Sequence, residues 1–526
     1  MGKNKVISQE QAAALIKDGD LVTAQSIGMA GYPMHLVKGI QKRFKEQGHP
    51  RDITFMWSCG LGNWTDGQGA DPLVGEDGLV KRIITGYVGA SPAAVKRVVE
   101  NTIEAYLLPQ GAITQLYRSI AGHKPLVSQV GLKTFVDPRL DGAKSTTITK
   151  EELMEVVKID DKEYLRYPDL KMNVSLIRGS YADENGNISI REEVSHLELL
   201  EAASAAKNSG GIVIAQVAHL VKNGTLDPKE VVVPGGIVDY VVVAPAEDHK
   251  QTQGVVYDPG LSNQVKVVMN EDNTTPFPLS AKKIIARRAA MELKNNIVLN
   301  VGVGTPDLVP LIAQEEGVDD TYMSTIENGI WGGNPVSGLD FGAAYNAESI
   351  ISMANHFDLY DGGVLDLTVL GIGEVDEQGN NNVSMFSDQV AGPGGFINIS
   401  QNTQNIVFVG TLTVGGKSHI EDGKLVIDSQ GKAPKFVKKV KQVTFSGEFA
   451  TDKKQNVIYV TERGVFELHD NHLRLIEIAP GVDLQKDIID QMEFEPEVSA
   501  DLHEMNPDIF QEKWGKLAAI LDAKED

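Results

Sequence analysis

An internal repeat constrains the fold of this chain more than any other feature of its sequence. Residues 173–187 read NVSLIRGSYADENGN, and residues 366–380 read DLTVLGIGEVDEQGN, at a shift of 193 positions. Each copy is an apolar strand that runs into a turn of the form Asp-Glu-x-Gly-Asn. A second pair of apolar runs, 211–217 and 405–411, matches at a shift of 194 positions. Because a repeated supersecondary unit marks a repeated architecture, the chain is predicted to contain two related halves.

The strands of both halves are apolar along most of their length instead of alternating between polar and apolar residues. This pattern is typical of parallel strands that helices cover on both faces. Such runs occupy residues 21–28, 82–91, 211–221, 296–304 and 405–414. The sequence therefore predicts an α/β fold with two related open α/β domains, mainly parallel sheets and flanking helices, fused in one chain.

Each half opens with a predicted capped helix. Ser8 and Gln11 form an S-x-x-Q capping box at the first helix, and Ser280 is the predicted cap of the second. Between about residues 250 and 279 the chain is rich in Pro, Gly, Asn and Thr, as connectors are. We therefore expect an N-terminal domain over residues 1–265 and a C-terminal domain over residues 280–526.

Charge and composition exclude several classes of protein. The 72 acidic and 49 basic residues give a net charge of −23, which disfavours binding to nucleic acid. No apolar run reaches the ~18 residues of a membrane-spanning helix, and the amino terminus lacks the apolar core of a secretory signal, so we expect a cytoplasmic protein without membrane partners. The single cysteine, Cys59, excludes an intramolecular disulfide and a multi-cysteine metal cluster, and we predict no metal site.

Four motif-like features do not carry the chemistry that they suggest. Residues 410–418, GTLTVGGKS, miss the spacing of a phosphate-binding loop by one residue and read as a strand and a turn. Residues 302–304, GVG, lack the third glycine of a dinucleotide-binding fingerprint. His469 and His472 flank a predicted Asp-Asn hairpin turn, and Cys59 reads as a small buried residue because no base accompanies it.

The tripeptide Glu-Asn-Gly occurs twice, and the two copies differ in context. Glu184-Asn185-Gly186 lies inside the repeated turn, where the other half has Glu377-Gln378-Gly379, so this copy reads as turn chemistry. Glu327-Asn328-Gly329 follows TYMSTI, precedes Ile-Trp-Gly-Gly and has no counterpart of the same kind in the repeat. The second copy therefore points to a functional role for Glu327.

Around this second copy the chain resembles the family I coenzyme A transferases, which move coenzyme A (CoA) between an acyl-CoA and a free carboxylate. The companion motifs are Asp18-Gly19, Gly31-Tyr32-Pro33, Pro109-Gln110-Gly111, Asn300-Val301-Gly302-Val303-Gly304, Gly394-Gly395 and Ala479-Pro480-Gly481-Val482, in the family's order. Two departures stand out, because Gln25-Ser26-Ile27 replaces Gly-Gly-Phe and Ile326 replaces the serine before the glutamate. The fusion of both halves is similar to the single-chain acetate or propionate CoA-transferase branch.

The resemblance implies a role for six residues. Glu327 would be the covalent nucleophile, Gln110 and the backbone amide of Gly394 or Gly395 would stabilise the oxyanion, and Gly302 and Gly304 would let the backbone approach CoA. Glu at its ordinary pKa of about 4.3 is ionised at neutral pH, so no neighbouring base is expected. CoA would be a substrate, and no cofactor is needed.

The expected reaction is a ping-pong exchange of CoA among short-chain acids, with acetate and propionate as the first candidates, through a glutamyl-CoA thioester. An acyl-CoA hydrolase on the same scaffold and a non-catalytic sensor of acyl-CoA or sugar phosphate remain open alternatives, because fold alone does not decide function. Homo-oligomers are common in the resembled family, so we expect a homo-oligomer, with a tetramer as one candidate.

Overall fold

The computed structural model describes residues 5–268, 276–386 and 389–524. The chain forms two compact units that do not follow the two halves of the sequence. The first unit consists of Met1–Val268, Ile326–Leu359 and Ser387–Asn398. The second consists of Met269–Thr325, Tyr360–Phe386 and Ile399–Asp526. The domain boundaries expected near residues 265 and 280 stay a prediction, whereas Glu327 lies in the first unit.

A parallel sheet forms the centre of the first unit. Its strands, in spatial order, are Tyr240–Val243, Ile212–Val221, Val174–Asp183, Leu21–Ala24, Ile53–Trp57, Val80–Thr85 and Glu104–Leu107. In the middle of the sheet, Val22 pairs with Phe55 on one neighbouring strand and with Val174 on the other. All three side chains are buried. Most residues of these strands are buried, which is the reason for their largely apolar sequence.

Short antiparallel strands complete the first unit. The pairs are Ile188–Ser189 with Val231–Val233, Lys162–Arg166 with Val127–Ser128 and with Glu155–Ile159, Ile330–Trp331 with Ser349–Ile350, and Asn334–Pro335 with Ala344–Tyr345. The last two pairs follow Glu327 directly in sequence. They fold the segment after Ile326 back on itself.

A second mainly parallel sheet forms the centre of the second unit. Its strands, in spatial order, are Met323–Ile326, Val298–Val301, Leu367–Gly371, Asn405–Val409, Asn456–Val460, Gly464–His469, His472–Ile478 and Glu497–Glu504. The pairs that involve Gly464–His469 are antiparallel, and the others are parallel. Smaller antiparallel pairs are Glu374–Val375 with Asn381–Asn382, Thr413–Val414 with Ala433–Pro434, and Lys417–Glu421 with Lys424–Ser429.

Helices cover the sheets. They are Gln9–Ala14, Met34–Gln47, Asp71–Val74, Pro92–Val99, Gln110–Ala121, Leu199–Asn208, Ala281–Ala290, Leu308–Glu315, Met353–Asp361, Phe396–Asn402, Gly447–Lys453 and Leu517–Asp522. The predicted caps are confirmed: Ser8 and Gln11 form a reciprocal capping box, and Ser280 accepts a hydrogen bond from the amide of Lys283. None of the described helices is long and apolar enough to cross a membrane.

The predicted repeat is confirmed at the level of single hydrogen bonds. Asp183 accepts from the backbone amide and the side chain of Asn187, at 3.0 and 2.8 Å. Asp376, 193 positions later, accepts from the same two groups of Asn380, at 3.1 and 3.0 Å. The predicted α/β fold with mainly parallel sheets is likewise confirmed.

Two rejected motifs also have the predicted local structure. His469 and His472 end and begin two antiparallel strands joined by Asp470 and Asn471, whose φ angles are 48° and 63°. The 410–418 segment contains the short strand Thr413–Val414, a turn and the start of the strand Lys417–Glu421. In the described ranges, no group of three or more His, Cys, Asp and Glu side chains has the arrangement of a metal site.

Candidate active site

The second Glu-Asn-Gly copy is a constrained turn inside the first unit. Glu327 is half-buried at the end of the strand Met323–Ile326. Gly329 has a φ of +100°, and a Cβ atom there would lie 2.1 Å from the carbonyl oxygen of Ile351. A side chain at position 329 would therefore collide with backbone, which explains the glycine.

Asn328 holds this turn in place. Its side chain is fully buried, and its Nδ2 donates to Ser195 Oγ at 3.1 Å and to the carbonyl of Gly342 at 2.6 Å. The first copy is different, because Glu184 is exposed and pairs with Lys222 at 2.7 Å. The prediction that only the second copy departs from ordinary turn chemistry agrees with these contacts.

Burial raises the pKa of the Glu327 carboxyl to about 7. The backbone amide of Gly395 donates to this carboxyl and acts in the opposite direction, but burial outweighs it. The expectation of an ordinary pKa near 4 was therefore wrong, because it left out desolvation by segments distant in sequence. Glu327 is about half ionised at neutral pH.

Gln110, Gly394 and Gly395 lie with Glu327 in the same unit. The amide of Gln110, at the first turn of the helix Gln110–Ala121, donates to the carbonyl of Gly394 at 2.8 Å. A Cβ atom on Gly394 would lie 3.9 Å from Gln110 Oε1. Gly395 contacts the Glu327 carboxyl through its amide. The structure thus brings four of the six predicted site residues together.

The side chain of Gln110 is fully buried and weakly held. Its Nε2 donates to the sulfur of Met353 at 3.5 Å, and its Oε1 has no hydrogen-bond partner within the described part of the chain. Thioether sulfur is a weak acceptor, so this amide can exchange Met353 for a stronger acceptor at little cost. No sequence motif had pointed to Met353 as a residue of this site.

Gly302 and Gly304 belong to the second unit, in the loop after the strand Val298–Val301. The amide of Gly302 donates to the carbonyl of Val369 at 2.8 Å. Gly304 is exposed with a φ of +101°, and a Cβ atom there would meet nothing within 4 Å. The space beside the Gly304 Cα is therefore open, although its amide already donates to Asp307 Oδ2 at 2.8 Å.

Trp331 and His356 form a neutral pair after the turn. The indole Nε1 of Trp331 donates to Nδ1 of His356 at 3.1 Å, and the two rings meet edge to face. His356 is fully buried, and burial lowers its pKa to about 3. Because it stays uncharged near neutral pH, His356 holds the indole without adding a positive charge to the site.

Cys59 is buried, as the sequence predicted. Burial raises the pKa of its thiol, and the negative charges of Glu327 and, more weakly, Glu198 raise it further. A thiol that stays protonated is a poor nucleophile. The negative charges of Glu327 and Glu198 thus both act on the Cys59 thiol.

Comparison with known proteins identifies the family. A model of the family described as coenzyme A transferase matches residues 6–244. Caffeate CoA-transferase of Acetobacterium woodii is 45% identical over 524 residues, which cover 98% of this chain and 99% of that protein. The chain belongs to the coenzyme A transferase family. Acetate CoA-transferase YdiF of Escherichia coli (strain K12) is 40% identical over 517 residues, which cover 97% of this chain and 96% of that protein.

Solved structures agree with the assignment to this transferase family. The crystal structure of the acyl-CoA transferase YdiF apoenzyme from Escherichia coli O157:H7 has a TM-score of 0.91 at 38% identity, covering 98% of this chain and 97% of that chain. A YdiF structure described as a thioester complex with CoA has a TM-score of 0.90, also at 38% identity. The prediction of a single-chain CoA-transferase is therefore confirmed, and the protein is an enzyme that uses CoA as a substrate.

Proposed function

We propose that this transferase exchanges CoA between a short-chain acyl-CoA and a free short-chain carboxylate, through a covalent thioester between CoA and Glu327. The observation that carries the proposal is the half-buried Glu327 carboxyl, which accepts from the Gly395 amide and lies in the same unit as the weakly held Gln110 amide. Relatives named for acetate and for caffeate support a carboxylate acceptor. Acetate and propionate are the first substrates to test.

The chemistry follows from a carboxylate nucleophile. The Glu327 carboxylate attacks the thioester carbonyl, the C–S bond breaks, and a mixed anhydride and CoA thiolate form. The thiolate then attacks the glutamyl carbonyl and expels the acyl group as a free carboxylate, which leaves glutamyl-CoA. A second carboxylate reverses both steps. No net proton or electron is gained or lost, and the energy of one thioester is kept in the next.

Gln110 and the Gly394–Gly395 backbone are the proposed oxyanion donors. The Gln110 amide would leave the Met353 sulfur for the oxygen that becomes negative in each tetrahedral intermediate. Loss of one such donor typically costs about 10²- to 10³-fold in rate. The glycines would let the backbone amides come close to that oxygen because no Cβ atom intervenes.

The raised pKa of Glu327 favours the covalent step. A carboxylate held in a buried place is less stable than one in water, whereas the anhydride and the thioester carry no charge on the glutamyl group. Forming either intermediate therefore removes the unfavourable buried charge. Trp331 beside the turn would also help to exclude water, which competes with the acceptor carboxylate.

The remaining assignments rest on the family resemblance or on the sequence alone. Gly302 and Gly304 are proposed to let the backbone approach CoA, and the exposed Gly304 with its positive φ supports this role. We also propose that the enzyme works in the cytoplasm as a homo-oligomer, for which a tetramer is one candidate. The two fused domains at residues 1–265 and 280–526 are proposed from the internal repeat and from the connector between them.

The test is a trapping experiment with a matched control inside the chain. The enzyme is incubated with acetyl-CoA and no acceptor, digested, and analysed by mass spectrometry for a CoA adduct on the peptide that contains Glu327. Glu327→Gln should give no adduct, and Glu184→Gln, which changes the other Glu-Asn-Gly copy, should give as much as wild type. An adduct elsewhere, or none in wild type, would overturn the proposal. Thiol release without acceptor would identify a hydrolase.

A further inference from the structure

Glu198 is a buried carboxyl group that the mechanism above does not use. It has no exposed surface, and it occupies the N-cap position of the helix Leu199–Asn208 without making a capping hydrogen bond to that helix. Its side chain instead accepts a hydrogen bond from Ser58 Oγ at Oε1. Its other oxygen, Oε2, is buried without a hydrogen-bond partner within the described part of the chain.

These surroundings favour the protonated form of Glu198. The charged groups on its own helix are Glu201, a like charge that lies 3.6 Å from Arg118, and Lys207, which pairs with Asp239 at 2.5 Å. The helix Gln110–Ala121 packs against it with the charged Arg118 and with Tyr117, which is buried and uncharged at neutral pH, as is Cys59. Burial and, to a smaller extent, Glu201 raise the pKa of Glu198 to about 8, and they outweigh the hydrogen bond from Ser58, which acts in the opposite direction.

Ser58 connects Glu198 to the proposed oxyanion donor. Ser58 Oγ lies 3.8 Å from the sulfur of Met353, the same sulfur to which Gln110 Nε2 donates at 3.5 Å. Ser58 also precedes Cys59, whose thiol lies in the fields of both Glu198 and Glu327. A change of charge at Glu198 therefore acts on Ser58, which lies against the sulfur that holds the proposed oxyanion donor.

We propose that Glu198 is a positioning residue that must stay uncharged: as the neutral acid it holds Ser58 against the Met353–Gln110 pair, and its ionisation stops CoA transfer. This inference rests on the glutamyl-CoA mechanism proposed above. An ionised Glu198 would act on Cys59 together with the charge of Glu327. The buried charge would also draw water or a rearrangement to Oε2, because none of the described residues hydrogen-bonds to that oxygen.

The experiment is the pH profile of transfer from acetyl-CoA to propionate between pH 6 and 10. For wild type we expect activity to fall above pH 8, by about tenfold per pH unit. Glu198→Gln keeps an acceptor oxygen for Ser58 and never ionises, so its profile should lack this alkaline fall, whatever its plateau. Glu201→Gln removes the like charge and should move the fall to lower pH.

Other outcomes separate this inference from the proposed function. If Glu198→Gln keeps the alkaline fall of wild type, or Glu201→Gln moves it to higher pH, the inference is wrong. Glu198→Leu, which removes both oxygens, should lower kcat at every pH, and unchanged kcat would also overturn it. Trapping the CoA adduct on wild type in the same samples tests the mechanism separately, since its absence would defeat the proposed function itself.

Discussion

Replacing Glu327 with glutamine should abolish transfer and at the same time stabilise the protein, most strongly at alkaline pH. Glutamine has the shape of the protonated acid and never carries a charge. It therefore removes the free-energy cost of holding a carboxylate in a buried place. Because burial and not an ion pair sets the pKa of this nucleophile, we expect its removal to stabilise the fold.

The magnitude follows from the pKa shift. Burial raises the pKa of Glu327 from an ordinary 4.5 to about 7. The folded state therefore binds this proton more tightly than the unfolded state, and the free energy of unfolding falls as pH rises through this window. At about 1.36 kcal/mol per pKa unit the cost reaches about 3 kcal/mol above pH 8 and is about 1 kcal/mol at pH 5.5. For a unit of about 300 residues, these free-energy costs correspond to a shift in Tm of about 5 °C above pH 8 and of about 2 °C at pH 5.5.

Scanning calorimetry of wild type and Glu327→Gln at pH 5.5 and 8.5 measures the difference. We expect the variant to melt higher at both values, with a gap that widens at pH 8.5. Glu46→Gln, at an exposed position of the helix Met34–Gln47, is the control and should show no widening. A gap that stays constant between the two pH values, or a variant less stable than wild type at pH 8.5, would refute the reasoning.

Three further predictions concern the same site. The rate of adduct formation on wild type should rise about tenfold from pH 6 to pH 8 as Glu327 ionises, measured by quenched mass spectrometry, and a flat profile would contradict the raised pKa. Gln110→Ala should lower kcat by about 10²- to 10³-fold, with a smaller effect on KM, in steady-state transfer assays; a loss confined to KM would argue for a binding role instead. Gly329→Ala should cost about 3 kcal/mol or more in stability because of its φ and the Ile351 carbonyl, and an unchanged Tm would show that the turn can relax.

Local features of the fold were predictable because the groups involved are neighbours in sequence. Asp183 and Asp376 bind amides within four residues of themselves, so the Asp-Glu-x-Gly-Asn pattern was enough to place both turns. The capping box of Ser8 and Gln11 is local in the same way. Glu327 was found through its tripeptide and the order of companion motifs, which needs no distance information.

The rest of the site depends on contacts between distant segments. Asn328 is held by Ser195, 133 positions away, and Gln110 donates to Met353, 243 positions away. The raised pKa of Glu327 depends on the same packing, so an isolated glutamate in a sequence gives no sign of it. Glu198 lies in HLELLEAA, which reads as one face of an ordinary helix, and its inward side chain had no sequence signal.

The first unit is formed from three separate segments of the chain, which has a consequence for biosynthesis. Its last segment ends at Asn398, and the turn with Glu327 belongs to it. A ribosome makes the chain from the amino terminus at about 5–20 residues per second. The first 268 residues therefore emerge well before their unit is complete, and they wait for the polypeptide that contains the strand Val298–Val301 of the other unit. Nascent chains released before residue 398 would lack part of this unit, and those released before residue 327 would also lack the nucleophile.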